Sequence, residues 1–247
     1  MRRLALARNR IPRGVFGYNS TEWISERVGD GEFEIRAIQP PRLKRFAQAR
    51  RDPCQKSRIL RTITLRSIVD EYIADYRDAA RREMEFYDSR HQRSLRHAVR
   101  IAALSKMADG KRHPHQRRLP SRVLESAAEA LAGVDFRSSE TFADLHGLVE
   151  RTVAGIKGIG DLAIYDIAQR IGSYLELPPD AVYLHAGTRR GARALLGPTD
   201  RVLPLAVFPK DLRSLTAAEL EDCLCIYKED FATYRDGKQK YGFPMPR

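Results

Sequence analysis

The chain has 247 residues, 43% of them apolar, and carries 44 Lys and Arg against 32 Asp and Glu, for a formal net charge of +12. That apolar fraction suffices for one large core or two small ones. No run of eighteen or more apolar residues is present, which excludes a bilayer-spanning helix.

The stretch MRRLALARNRIPRG lacks both a sustained apolar segment and a small-residue cleavage site, so a cytoplasmic protein is expected, nucleoid-associated if bacterial. Cys54, Cys223 and Cys225 cannot all pair, and their spacing fits neither a zinc site nor a disulfide framework. The expectation is reduced thiols, no metal and no cofactor. The charge is unevenly placed: residues 1–122 hold 29 Lys and Arg against 14 Asp and Glu, a balance of +15, and residues 123–247 hold 15 against 18. Two blocks concentrate it. Arg42 to Arg66 has nine basic residues opposed by Asp52 alone, and Arg90 to Arg122 has ten opposed by Asp109 alone. His91, His97, His113 and His115 fall in the second block and would add charge at mildly acidic pH. Fields of this kind attract polyanions, and nucleic acid is the partner they imply, with no membrane partner.

In chain order, residues 1–58 are broken by Pro12, Pro40, Pro41 and Pro53 and read as an irregular basic arm, with strand-like alternation at EFEIRAI that allows one hairpin. Residues 59–247 read as a helical domain. From Thr64, a plausible N-cap, apolar residues from Leu65 to Met84 recur at steps of three and four, predicting one long helix. A second helix is predicted over Ser94–Ala108, ending at Gly110, followed by a basic loop, KRHPHQRRLP. Further helices start at Pro120 or Ser121 and at Ser138 or Ser139, the latter running through Phe142, Leu145, Val149 and Val153. Another follows Gly160 and ends at Gly172, one spans Arg189–Leu196 capped by Thr188, and TAAE at Thr216–Glu219 is a capping box for the last. No segment reads as a parallel strand. The predicted fold class is all-α, multi-helical.

Between the two central helices, Gly155, Gly158 and Gly160 crowd a turn that ordinarily needs one glycine. With Ile159 facing the core, the bare backbone on either side would present amide N–H groups at a helix start, an anion cradle rimmed by Lys157.

Val153, Ile156, Gly158, Ile159, Gly160, Ile164 and Ile167 make this segment, about residues 142–172, resemble the helix-hairpin-helix motif. That element holds a DNA phosphate through backbone amides without reading sequence. Through Gly197 the chain is similar to the helix-hairpin-helix DNA glycosylases of the endonuclease III type, which implies an all-α, two-lobed fold. The resemblance also marks departures. The position of the lyase lysine holds Leu162, and the V-D-x-H pattern becomes Val182, Tyr183, Leu184, His185. A shifted alignment makes Asp180 the catalytic carboxylate, although a residue after Pro178 and Pro179 also reads as a turn cap. Tyr183 and His185 are candidates to contact a base, or else core residues; Arg189 and Arg190 are candidates to contact phosphate, or else a solvated face.

Three functions follow from these residues. The first is a DNA-binding protein using Lys157, Gly158, Ile159 and Gly160, a catalytically inactive relative of the glycosylases. The second is an active monofunctional DNA glycosylase of base excision repair, without lyase activity. The third is an RNA-binding or protein-interaction module in which the hairpin is only a turn.

Overall fold

The computed structural model describes residues 22–28 and 32–38 as backbone strands and residues 63–240 as a helical body, with side chains to residue 234. The chain divides into two units, Met1–Cys54 and Gln55–Arg247. In the first, β1 (Glu22–Val28) pairs antiparallel with β2 (Glu32–Ile38), Glu22 opposite Ile38 and Val28 opposite Glu32. This is the hairpin that the alternation at EFEIRAI allowed. The other expectations for residues 1–58 lie outside the described residues.

The second unit is predominantly helical: α1 (Leu65–Asp75), α2 (Arg77–Tyr87), α3 (Leu95–Ala103), α4 (Ser121–Leu131), α5 (Phe142–Val153), α6 (Asp161–Leu175), α7 (Ala186–Leu196), α8 (Ala217–Ile226) and α9 (Lys228–Lys240). Two short strands, β3 (Ala181–Tyr183) and β4 (Val202–Pro204), pair antiparallel around α7. Capping fixes several starts. The side chains of Thr64, Thr141 and Thr216 each accept from the backbone three residues on, and their own backbone N–H groups donate to the side chains of Ser67, Asp144 and Glu219.

Two apolar clusters form the core. One gathers Leu65, Ile68 and Tyr72 of α1 with Ala192 and Leu195 of α7, Leu220 and Leu224 of α8, and Phe231 of α9. The other gathers Val99 and Ala102 of α3, Ala127 and Leu131 of α4, Leu145 and Val149 of α5, and Ile164, Ile167 and Ile171 of α6. Against this frame several predicted boundaries change. The long helix from Thr64 breaks at Tyr76, whose φ of −123° leaves the helical range; α1 packs into the first cluster, while α2 lies against α6. The helix predicted to Ala108 stops at Ala103, because buried Ser105 takes φ +53° to reach two partners inside the protein. The start expected at Ser138 or Ser139 falls at Thr141, and Ser138 belongs to a 3-10 turn that buries Phe136. Gly172 does not end α6. It lies within the helix because the Leu177 carbonyl folds back to 2.6 Å from where a Cβ would stand, and Glu176, with φ +59°, makes the turn.

α7 also differs. It begins at Ala186 with His185 as N-cap, and Thr188, predicted to cap it, is buried inside its first turn. Cys223 and Cys225 are free thiols on α8.

Candidate functional site

The turn between α5 and α6 is built by two short backbone bonds, Ile156 N–H to the Val153 carbonyl at 2.9 Å and Ile159 N–H to the Ile156 carbonyl at 3.0 Å. Ile156 and Ile159 are half-buried against the second cluster, while Lys157, Gly158 and Gly160 are exposed. Gly158 has φ +107°, a conformation that glycine reaches without a Cβ penalty. Gly160 is the N-cap of α6, and no side chain caps that helix. The N–H groups of its first turn are thus left without a side-chain cap, with the positive end of the helix dipole behind them.

A sequence-distant segment borders this turn. The Val123 side chain lies 3.5 Å from where a Cβ on Gly158 would stand, so the start of α4 meets the hairpin there. Arg117, Arg118 and Arg122 of that segment are exposed, as is Lys157. The start of α4, where Arg122 precedes Val123 in sequence, thus borders the glycine turn.

Acidic groups temper that field. Asp161, the first residue of α6, pairs with Arg201 at 2.9 Å and approaches Arg189 at 3.6 Å, and Arg201 also lies 3.5 Å from Glu150. Arg189 is half-buried and donates to the Leu184 carbonyl at 2.8 Å, tying the end of β3 to the start of α6. Arg190 is exposed but engaged with Glu229 of α9 at 2.8 Å. Both predicted phosphate contacts therefore carry protein partners.

Asp180 is exposed in the bend before β3. Tyr183 is buried in an aromatic group with Phe142, His146 and Tyr165, at ring-centroid distances of 5.2, 4.5 and 5.7 Å, and burial pushes its hydroxyl up to about 12. This is the core alternative for that residue. His185 is buried too. Its Nε2 lies 2.6 Å from Glu221 Oε1, and neither ring nitrogen makes a hydrogen bond among the described residues. The Thr188 hydroxyl donates to the same Glu221 oxygen at 2.5 Å. Leu162 is half-buried.

The sequence reading missed a band of buried charge along α6. Asp166 and Arg170 are one turn apart on that helix and almost fully buried. Asp166 Oδ2 accepts from Gln116 Nε2 at 2.6 Å and meets His115 Nδ1 at 3.1 Å. Arg170 donates to Ser105 Oγ at 3.0 Å, lies over the Tyr87 ring, and stands 3.8 Å from Glu83, which in turn meets His113 Nε2 at 3.4 Å. Burial alone would raise the Asp166 carboxyl, yet the bonds from His115 and Gln116 and the Arg170 charge outweigh it and hold it at about 2. The bond to Asp166 raises His115 in return. The loop KRHPHQRRLP is thus not a free basic loop: its two histidines turn inward onto carboxylates of α2 and α6. One ligand atom from each of His113, His115 and Asp166 lies within 4.8 Å of the others, a grouping able to hold a metal ion that the sequence reading did not anticipate. One signal was present in DLAIYDIAQRIG, where Asp166 and Arg170 interrupt a helix that is otherwise apolar nearly all round.

The chain matches no protein-family model, no curated protein and no solved structure.

Proposed function

We propose that this protein binds double-stranded DNA through the hairpin between α5 and α6, holding one backbone phosphate on the amides that follow Gly158, without sequence readout. One observation carries the reading: a helix start with no side-chain cap follows exposed Gly158 and Gly160, and the turn meets Val123 at the start of α4, next in sequence to exposed Arg122. A helix start supplies directed donors, and Arg117, Arg118, Arg122 and Lys157 supply the long-range field. The alternation of α5, glycine turn and α6 supports a helix-hairpin-helix, and the two apolar clusters support a two-lobed body of the glycosylase kind. The half-buried Leu162 in place of a lysine, and the exposure of Asp180, favour a binder over an enzyme acting through either position.

Fluorescence anisotropy with a labelled duplex at graded salt tests this. The log of the association constant should fall linearly with the log of salt, and Lys157→Ala and Arg122→Ala should each reduce that slope by about 1 without changing preference among sequences. Asp161→Asn should tighten binding several-fold, since it removes the negative charge from the amide cradle. A slope unaltered by Lys157→Ala and Arg122→Ala together would defeat the reading.

A further inference from the structure

We propose that His113, His115 and Asp166 bind a first-row divalent transition-metal ion. The two histidines flank Pro114, and residues Pro114–Gln116 form a 3-10 turn that presents both rings on one side, their centroids 4.4 Å apart. Asp166 arrives from α6. Two imidazoles and one carboxylate are the donor set of zinc, iron and cobalt sites, and three protein ligands leave a coordination position open. One edge of the cluster matches such an ion, and the three ligand atoms all lie within 4.8 Å of one another. His115 Nδ1 and Asp166 Oδ2 stand 3.1 Å apart, near the roughly 3.3 Å edge of a tetrahedron with bonds of about 2.0–2.1 Å.

The surrounding groups are those that a metal centre uses. Glu83 faces His113 Nε2 at 3.4 Å, the carboxylate partner of a ligating imidazole, and the His115 amide donates to His113 Nδ1 at 3.2 Å, a bond that an incoming ion displaces. Gln116 Nε2 donates to the same Asp166 Oδ2 and fixes the carboxylate in place. Arg170 opposes an incoming cation, but its guanidinium stands 3.7 Å from Asp166 and 3.8 Å from Glu83, beyond hydrogen-bond reach, so no guanidinium hydrogen bond has to break at either carboxylate. With two carboxylates against one guanidinium the cluster carries a net negative charge when both imidazoles are neutral. His115, with 46% of its side chain exposed, gives an ion a route in.

The test titrates Zn2+ and Co2+ into the full chain after chelator treatment, read by calorimetry and by the visible absorption of bound Co2+. The expected result is one ion per chain at micromolar affinity or tighter, with Co2+ bands that show nitrogen and oxygen ligation. His115→Ala, at a half-exposed position that leaves the fold intact by circular dichroism, should weaken binding at least tenfold and remove the bands. Glu83→Gln should weaken it by about tenfold through the orientation of His113. His91→Ala, elsewhere in the same basic block, should change nothing. Absence of stoichiometric binding, or binding that survives His115→Ala unchanged, would overturn the proposal.

Discussion

Asp222 shows how one residue on an apolar helix can set the pH dependence of the fold. It lies on α8 between the first apolar cluster and the charged band, accepting from the Tyr72 hydroxyl at 3.2 Å. Burial, and after it the neighbouring Glu221 charge, push its carboxyl up to about 7, while the Tyr72 hydrogen bond and then His115 pull the other way. The folded state therefore keeps this proton up to near neutrality, whereas the unfolded carboxyl loses it around the ordinary value of 3.8. Folding takes up a proton between those limits, so this group withdraws stability as pH rises from about 4 to about 7, on the order of 4 kcal/mol in all. Asp222→Asn retains an acceptor for Tyr72 and cannot ionise. Urea unfolding should show the variant gaining on the parent from pH 5 to pH 8; an equal difference at both would contradict the assignment. The neighbouring Cys223 thiol is pushed up by burial and by Asp222, which fits an inert core thiol.

At the scale of elements, the contact between α7 and α8 depends on two glycines one turn apart. A Cβ on Gly191 would stand 2.2 Å from the Leu224 carbonyl oxygen, and one on Gly187 would stand 2.5 Å from Cys225 Sγ. The backbones meet there directly. Gly191→Ala must separate the helices and should cost roughly 3 kcal/mol, read as a lowered denaturation midpoint. Gly155→Ala, with open space around it, should change stability by less than about 1 kcal/mol. The helices themselves were legible from periodicity and from the Thr64 and Thr216 caps, because those signals are local. What escaped were boundaries set by distant partners. Ser105 leaves the helix to meet Arg170 and Gln116, Thr188 turns inward to Glu221, and β3 with β4 are three residues each, too short to show an alternation.

Over the whole molecule, charge and donors are split between the two units. Met1–Cys54 holds 12 Lys and Arg against 6 Asp and Glu, half of the net charge of +12, while the hairpin and the arginines beside it belong to Gln55–Arg247. Removing residues 1–54 should weaken duplex binding and flatten its salt dependence but leave measurable affinity. Complete loss would move the contact to the arm and favour an RNA-binding or protein-interaction role. The amino-acid sequence by itself determined the helical class, the basic bias and the glycine turn, since each follows from composition, local periodicity or a backbone conformation that few residues adopt. Only the tertiary structure decided that Val123 of α4 packs against the turn at Gly158, that Tyr183 is walled in by aromatic rings, and that His113 and His115 face Asp166 across 51 to 53 positions of chain. Those pairings arise from packing between helices far apart in order, and side-chain periodicity carries no record of which face will meet which.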